Sequence, residues 1–180
     1  MILPDRKLHR LQNYDYSQSG YYFITICTKE RRNILATVEN AVPSVPSVVP
    51  SVPSITTTAI GDIVTDAWNR LSGIDDLIKT DYFCVMPNHI HGIIIIQNQQ
   101  DMSPETERRG RRSLQDLVRG LKSVTTREYN KAVPQAMKNT LWQSSFYDTI
   151  IRSERMLYEI RKYIDENPLR WREDELYKEP

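Results

Sequence analysis

The chain has 180 residues, 39% of them hydrophobic and 26% charged, which predicts one globular domain with a single core. The formal net charge is +1, so the chain lacks the strongly basic balance that is usual for nucleic-acid binders. It has no apolar run long enough to span a membrane, and none of signal-peptide length follows Met1, so we expect a cytoplasmic protein. Cys27 and Cys84 lie in apolar runs and are expected to be buried thiols.

The first half of the chain alternates between regular elements and a repetitive segment. Residues 21–28 are β-branched and aromatic, which predicts a buried strand. Residues 42–54 read VPSVPSVVPSVPS, and prolines at this spacing exclude a helix or a central strand. We interpret 42–54 as a linker extended in polyproline II form, within a Pro/Val/Ser-rich insertion at 37–60 of a single domain of residues 1–180. Residues 61–72 have apolar side chains at helical spacing.

The second half is more regular. The patterns predict a strand at 80–86 ending in a turn at Met86-Pro87-Asn88, a central strand at 89–96 and a polar loop at 97–112. Ser113, with Asp116 three residues later, is expected to cap a helix over 113–132. A strand at 145–152 and a helix from Ser153 to Pro168 follow.

This order of elements predicts the fold class. Apart from the insertion and the last helix, the elements follow the β-α-β-β-α-β order of ferredoxin-like proteins. We therefore expect an α+β, ferredoxin-like sandwich, with an antiparallel sheet and helices on one face. The additional C-terminal helix must then also pack on the sheet.

His89 and His91 are the first candidate site residues. Side chains two apart on a strand point to the same face, so the two imidazoles would lie side by side and could hold a metal ion. We expect Ile90 and Ile93 on the opposite face, and Gly92 at a point where another group approaches the backbone closely. The alternative is a pair of histidines satisfied by hydrogen bonds on a polar face.

Tyr163 and Asn167 are the second pair of candidates. They are four residues apart on the last predicted helix, flanking its apolar stripe, so they would face the sheet. If that face holds the histidines, Asn167 supplies an oxygen ligand and Tyr163 lies beside the metal. Two neutral imidazoles and an amide would leave the ion its full charge. The alternative is a tyrosine at the core boundary and an asparagine that ends the helix before Pro168.

Basic residues are concentrated after residue 107. Arg108, Arg109, Arg111 and Arg112 form a cluster, which Arg119, Lys122, Arg127 and Lys131 follow. We expect the first four, with Arg119 and Lys122, to contact phosphates. The alternative is a solvated loop. The acidic residues that offset this charge, among them Asp174, are near the C-terminus.

These motifs together resemble a known family. "VMPNHIHGIIII" and "LWQSSFYDTIIRSERMLYEIRKYIDENPLRW" are similar to the corresponding segments of the REP-associated tyrosine transposases, within the HUH single-tyrosine transposases of the insertion sequence 200/605 type. "YDYSQSGYYFITICTKERR" and "SLQDLVRGLKSVTTREYN" resemble the same family. The resemblance excludes 37–60 and 98–110, and the Val-Pro-Ser repeat is a departure from the family pattern.

The resemblance implies a chemistry and a role for each residue. His89 and His91 would bind Mg²⁺ or Mn²⁺, Asn167 would stand where a glutamine is more usual, and Tyr163 would be the nucleophile, with Tyr129 as its competitor. The reaction would be cleavage and rejoining of single-stranded or hairpin DNA through a 5′-phosphotyrosine, by a monomer or homodimer with no membrane partner. Two rivals are a non-catalytic nucleic-acid-binding module and a metal-dependent hydrolase using Asp148 or Asp165.

Overall fold

The computed structural model describes residues 14–39, 54–97 and 112–179. Six strands and three α-helices are the main elements of these ranges. They are β1 Gly20–Cys27, β2 Ala36–Glu39, β3 Ser54–Thr57, α1 Ala59–Asn69, β4 Ile78–Val85, β5 His89–Ile96, α2 Leu114–Ala132, β6 Tyr147–Ile151 and α3 Glu154–Glu166. A 3-10 segment, Asn167–Glu173, follows α3 directly.

The main sheet has four antiparallel strands in the order β4-β5-β1-β6. If β2 and β3 are set aside, this is the strand order of a ferredoxin-like sheet, with the first and third strands in the centre. The predicted α+β fold class is confirmed. The almost uninterrupted apolar run of β5 fits its central position, because both of its faces are covered.

The two faces of the sheet carry separate hydrophobic clusters. Helices α1 and α2 cover one face, where Ile24, Ile90 and Ile94 point into the larger cluster. Helix α3 covers the other face through Leu157, Ile160 and Ile164, which pack with strand residues that include Phe23 and Ile93. Among the described helices, α3 therefore packs on the face opposite to α1 and α2.

Gly92 is the point of close approach that the sequence predicts. A Cβ built there would lie 2.6 Å from Cζ2 of Trp68, a distance that real Cβ contacts do not reach. The indole of α1 thus packs directly on the β5 backbone, where it also stacks on Phe83 at 4.5 Å between ring centroids. Glycine is required at position 92 because a side chain there would displace this ring.

Side chains cap the helices close to the predicted starts. Ser113 and Asp116 form a reciprocal capping box at the start of α2, as predicted. Ser153 Oγ accepts from the Met156 amide at the start of α3. Helix α1 begins earlier than predicted, because Thr58 caps it through the amides of Ile60 and Gly61.

The predicted insertion 37–60 is partly regular. Strands β2 and β3 lie within or next to it and pair with each other in a two-stranded antiparallel ribbon, and α1 begins at Ala59. The Val-Pro-Ser repeat at 42–54, for which the extended form is predicted, lies outside the described residues except for Ser54, which begins β3. Within the described part of the chain, no helix has the length and apolarity needed to cross a membrane.

Candidate functional site

Part of the candidate site consists of residues that lie side by side on neighbouring strands of the main sheet. Backbone register pairs His91 with Cys84 of β4 and with Thr25 of β1, and Thr25 with Tyr147 of β6. His89 is two residues before His91 on the same face, and Nε2 of His89 lies 3.0 Å from Nε2 of His91. Both histidines are fully buried. The predicted pair on one face is therefore present, with the two Nε2 atoms converging.

Ile93 was expected on the opposite face, and this prediction is wrong. Residues 89, 91 and 93 share one face because strand side chains alternate. Ile93 accordingly packs with α3, whereas Ile90 packs with α1 and α2, as predicted. Ile93 thus extends the apolar surface beside the histidines. Helix α3, which carries Tyr163, packs on this surface.

Asn88 fixes the tautomer of His89. The Asn88 amide nitrogen donates to the Leu176 carbonyl at 2.8 Å, so its Oδ1 is the atom 2.8 Å from His89 Nδ1. An amide oxygen only accepts, and Nδ1 of a neutral His89 must therefore carry the proton. The lone pair of His89 is then on Nε2, which points into the site. Such a partner on the other ring nitrogen is usual for histidines that bind metals.

The hydrogen bond between Thr25 and His91 does not fix a single tautomer of His91. Its hydroxyl lies 2.9 Å from His91 Nδ1 and can either donate or accept. When Nε2 of His91 donates to His89, Thr25 donates to Nδ1. When Nε2 keeps its lone pair for another ligand, Thr25 accepts. The hydroxyl therefore permits both tautomers of His91.

Helix α3 brings Tyr163 to this pair. The Tyr163 hydroxyl lies 3.3 Å from His91 Nε2. The Tyr163 ring packs edge-on against His91 and against Phe23, at 5.2 Å and 6.0 Å between centroids. Tyr163 is partly exposed, whereas the histidines are buried. A partly exposed tyrosine thus places its hydroxyl next to a fully buried histidine.

Asn167 lies one turn beyond Tyr163 and is almost fully buried. Its Nδ2 donates to Asp174 Oδ2 at 3.0 Å, which assigns the other amide atom as oxygen. Asn167 Oδ1 is buried and has no hydrogen-bond partner among the described residues. A buried acceptor without a partner costs about 1–3 kcal/mol, so this oxygen is a position where a cation would be stabilising.

Asp174 is the site residue that the sequence did not reveal. Its Oδ2 is also 3.5 Å from the Tyr163 hydroxyl, and its Oδ1 accepts from the Leu176 amide at 2.6 Å. One donor atom each from His89, His91 and Asp174 lie within 4.8 Å of one another. The predicted ligand set was uncharged, whereas this arrangement includes a carboxylate. In the sequence, Asp174 was only one of several acidic residues near the C-terminus.

Asp148 and Asp165, the carboxylates of the hydrolase alternative, do not occupy the position that Asp174 has in the site. Asp148 pairs with Ile24 in the β1–β6 register, which puts it on the face opposite to the histidines. Asp165 is exposed on α3. Asp174 is therefore the described carboxylate that the hydrogen bonds connect to Tyr163 and Asn167.

The other tyrosines differ in location. Tyr129, the predicted competitor, is 4% exposed within the cluster on the α1–α2 face. Tyr158 is 67% exposed on α3. Tyr147 shares the histidine face but lies two strands from His91. The Tyr163 hydroxyl, by contrast, lies within hydrogen-bond distance of His91.

Three of the six predicted phosphate-binding residues lie within the described part of the chain. Arg108, Arg109 and Arg111 lie outside the described residues. Arg112 is 3.9 Å from Asp75, and Arg119 pairs with Asp116 at 2.8 Å. Lys122 Nζ donates to the carbonyls of residues 143, 144 and 145 at 2.9, 3.2 and 2.8 Å. These contacts do not test the DNA contacts predicted for these residues.

The two cysteines are free thiols, and Cys27 is buried as predicted, whereas the prediction that Cys84 is buried is wrong because it is only partly buried. Cys27 is buried at the end of β1, opposite His89. Burial, reinforced by the charge of Asp165, raises the pKa of the Cys84 thiol to about 12. Cys84 is therefore protonated at neutral pH and is a poor thiolate ligand.

The fold is that of a solved transposase. The chain aligns, over 91% of its length and 74% of the other, with the structure of a REP-associated tyrosine transposase bound to a REP hairpin, at 16% identity and a TM-score of 0.57. A putative transposase from Deinococcus radiodurans R1 aligns over 88% of this chain and 97% of its own, at 18% identity and a TM-score of 0.46.

The sequence itself identifies the family. Residues 75–167 match the family described as "Transposase IS200 like", a stretch that includes β4, β5, α2, β6 and α3. An uncharacterized protein of Haemophilus influenzae is 29% identical over 186 aligned positions, covering 96% of this chain and 93% of its own. The chain belongs to the family of IS200-like transposases.

Proposed function

We propose that this transposase cuts and rejoins single-stranded DNA with the Tyr163 hydroxyl as nucleophile and a divalent metal ion held by His89, His91 and Asn167. The observation that carries this proposal is the position of the Tyr163 hydroxyl, 3.3 Å from Nε2 of His91, whose Nε2 also lies 3.0 Å from Nε2 of His89. Membership of a transposase family supports the reaction class.

The donor atoms fit a divalent ion. His89 presents a lone pair on Nε2, Thr25 allows His91 to do the same, and Asn167 Oδ1 is a buried acceptor without a partner. Asp174 adds a carboxylate oxygen within 4.8 Å of a ring nitrogen of each histidine. Mixed nitrogen and oxygen donors suit Mn²⁺ better than Mg²⁺, which prefers an all-oxygen shell. We propose Mn²⁺ or Mg²⁺ as the cofactor, with Mn²⁺ favoured by the ligands.

Each residue of the site has a separate role in the proposed reaction. A bound divalent cation would supply positive charge to the phosphate oxygens. Phe23 and His91 hold the Tyr163 ring edge-on and so orient its hydroxyl. Tyr163 Oη forms a bond to phosphorus as the bond from phosphorus to the 3′ oxygen breaks. Tyr163 loses one proton, for which Asp174 is a nearby acceptor, and the departing 3′ oxygen gains one.

The covalent product accounts for rejoining. Because the phosphodiester becomes a 5′-phosphotyrosine, the bond energy is kept in the link to the protein. A 3′-hydroxyl that enters the site then reverses the step, with no ATP. We further propose that the substrate is hairpin-forming palindromic DNA, because the fold is similar to that of a transposase solved with a REP hairpin.

Covalent trapping tests this proposal. Protein is mixed with a labelled single-stranded hairpin oligonucleotide and Mn²⁺, then separated on a denaturing gel. We expect a slower protein–DNA band that is lost with chelator, with His89→Ala and with Tyr163→Phe. Tyr147→Phe is the matched control, because Tyr147 lies on the same sheet face and should retain the band.

Each other outcome overturns a defined part of the proposal. A band that survives Tyr163→Phe means that another residue is the nucleophile. Binding of the hairpin without any band means a nucleic-acid-binding module without this chemistry. Equal adduct formation on an unstructured oligonucleotide contradicts the hairpin preference but not the nucleophile.

A further inference from the structure

A basic groove lies away from the histidine site, between α2 and the segment that leads to β6. Its volume is about 650 Å³. The side chains that line it are basic, amide or hydroxyl-bearing, apart from one tryptophan, and include no carboxylate among the described residues. They are Lys122, Ser123, Thr126, Arg127, Asn130, Lys131, Lys138, Thr140, Trp142, Gln143 and Ser144.

The charges of this groove are only partly neutralised within the protein. Glu128 pairs with both Arg127 and Lys131, at 3.3 Å and 3.0 Å, so one carboxylate faces two cations. These hydrogen bonds hold the pKa of Glu128 below its ordinary value, which keeps it charged. Lys122 is tied to three backbone carbonyls, and Lys138 is exposed. The groove therefore keeps an excess of positive charge.

The groove and the histidine site are at the same end of the sheet. Cys27, the last residue of β1, is opposite His89 in the register. The Cys27 carbonyl accepts from the Gln143 amide at 3.0 Å, and the Lys29 amide donates to Leu141 at 2.9 Å. The wall of the groove is thus joined to the strand next to His89. A chain passing round this end of β1 could contact both places.

Two further cations extend the positive surface towards that end. Lys29 Nζ donates to Asn139 at 3.1 Å, and Arg32 donates to the Thr140 carbonyl at 3.3 Å. Both follow β1 directly and hold the segment that forms one wall of the groove. The positive charge is therefore continuous from α2 to the residues after β1.

We propose that this groove binds the phosphodiester backbone of the DNA that flanks the cleaved position. The proposal rests on the proposed function for the identity of the ligand. Four cations line the groove with hydroxyl and amide donors, and Glu128, outside its described lining, neutralises only part of their charge, which suits a repeating anion whose phosphates accept hydrogen bonds. It would hold the flanking DNA while the cleaved strand passes round β1 to Tyr163.

The salt dependence of binding tests the groove. Lys131→Gln/Lys138→Gln removes two exposed charges and leaves the pair between Arg127 and Glu128. Binding of a hairpin with single-stranded flanks is measured by fluorescence anisotropy with Mn²⁺, in a Tyr163→Phe background that prevents cleavage. We expect weaker binding, and a slope of log K against log salt that is shallower by about 2, or about 1 per lost phosphate contact.

The control is Lys79→Gln/Arg155→Gln, which removes the same charge from exposed residues at the opposite end of the sheet. This control should show the same slope of log K against log salt as the Tyr163→Phe parent. A short unpaired oligonucleotide that covers only the cleaved position should bind both double variants like the parent.

The proposal that the groove binds DNA is wrong if Lys131→Gln/Lys138→Gln leaves the slope of log K against log salt unchanged. It is also wrong if the control variant shows an equal loss of slope. The trapping result is independent of these measurements. If wild type forms no covalent adduct but the slope still changes, the groove stands and the proposed function fails. If the adduct forms and the slope is unchanged, the proposed function stands and the groove proposal fails.

Discussion

At the scale of single residues, Asn88 connects the candidate site to the end of the chain. It is fully buried, its oxygen accepts from His89 and its nitrogen donates to the Leu176 carbonyl. One side chain therefore fixes the tautomer of a proposed metal ligand and also anchors the segment that carries Asp174. The same segment approaches His89 through the Trp171 ring, whose centroid lies 5.9 Å from that of the imidazole.

Replacing Asn88 should weaken metal binding without removing a ligand. In Asn88→Ala, His89 loses the acceptor that keeps its proton on Nδ1, so we expect the Mn²⁺ affinity to fall by about 10–100-fold in isothermal titration. Asn88→Asp keeps an acceptor for His89 and loses the donor to Leu176, so it should bind Mn²⁺ more tightly than Asn88→Ala. Wild-type affinity in Asn88→Ala would contradict the role that we assign to this amide.

At the scale of elements, α2 and α3 have different tasks. Helix α2 covers the core face and forms one side of the basic groove. Helix α3 carries Tyr163 and is held on the other face by its apolar stripe. Nε and Nη2 of Arg161 both donate to Oδ2 of Asp81 on β4, at 2.8 and 2.6 Å, which adds a polar anchor two residues before Tyr163. The position of the proposed nucleophile therefore depends on a helix with contacts to several strands.

The capping box of α2 should give a measurable pH dependence. Hydrogen bonds from Ser113 hold the pKa of Asp116 below its ordinary value. A lowered pKa contributes stability that is present above the unfolded-state pKa of about 4 and is lost as the pH falls through the folded-state pKa. Ser113→Ala should therefore cost about 1 kcal/mol in urea unfolding at neutral pH, and less as the pH falls below about 4.

The control for this cap is Ser72→Ala, a serine outside the helix cap. Its difference from wild type should not vary with pH in the same window. A Ser113→Ala difference that stays constant through acid pH would show that Asp116 does not act through the cap.

At the scale of the whole molecule, the candidate site joins distant parts of the chain. Thr25 comes from β1, His89 from β5, Asn167 from the end of α3 and Asp174 from the residues after it. A ligand that binds all of these parts in the folded state, and not in the unfolded chain, must stabilise the fold.

Mn²⁺ should therefore raise the melting temperature. At about 100 times its dissociation constant a ligand contributes about 2.7 kcal/mol, which corresponds to a shift of roughly 5–10 °C for a chain of this size. Differential scanning fluorimetry should show the shift in wild type and not in His89→Ala. Asp174→Asn should reduce it, because the site loses its negative charge. An equal shift in His89→Ala would mean that the ion binds elsewhere.

Local patterns in the sequence determine much of the fold and part of the site. Alternation in β5 places His89 and His91 on one face, and helical spacing places Tyr163 and Asn167 one turn apart. Ser113 and Asp116 mark the start of α2 because a capping box is a local interaction. These features depend on residues only a few positions apart, so spacing alone predicts them.

Only the tertiary structure decides what meets across the chain. The sequence does not show that α3 packs on the histidine face, that Asn88 bonds to Leu176, or that Asp174 joins Tyr163 and Asn167. It likewise does not show that Lys131 and Lys138 line the same groove. Each of these contacts depends on the path of the backbone through the sheet and its helices, because hydrophobic burial and close packing, which are not directional, select that path from many compatible ones.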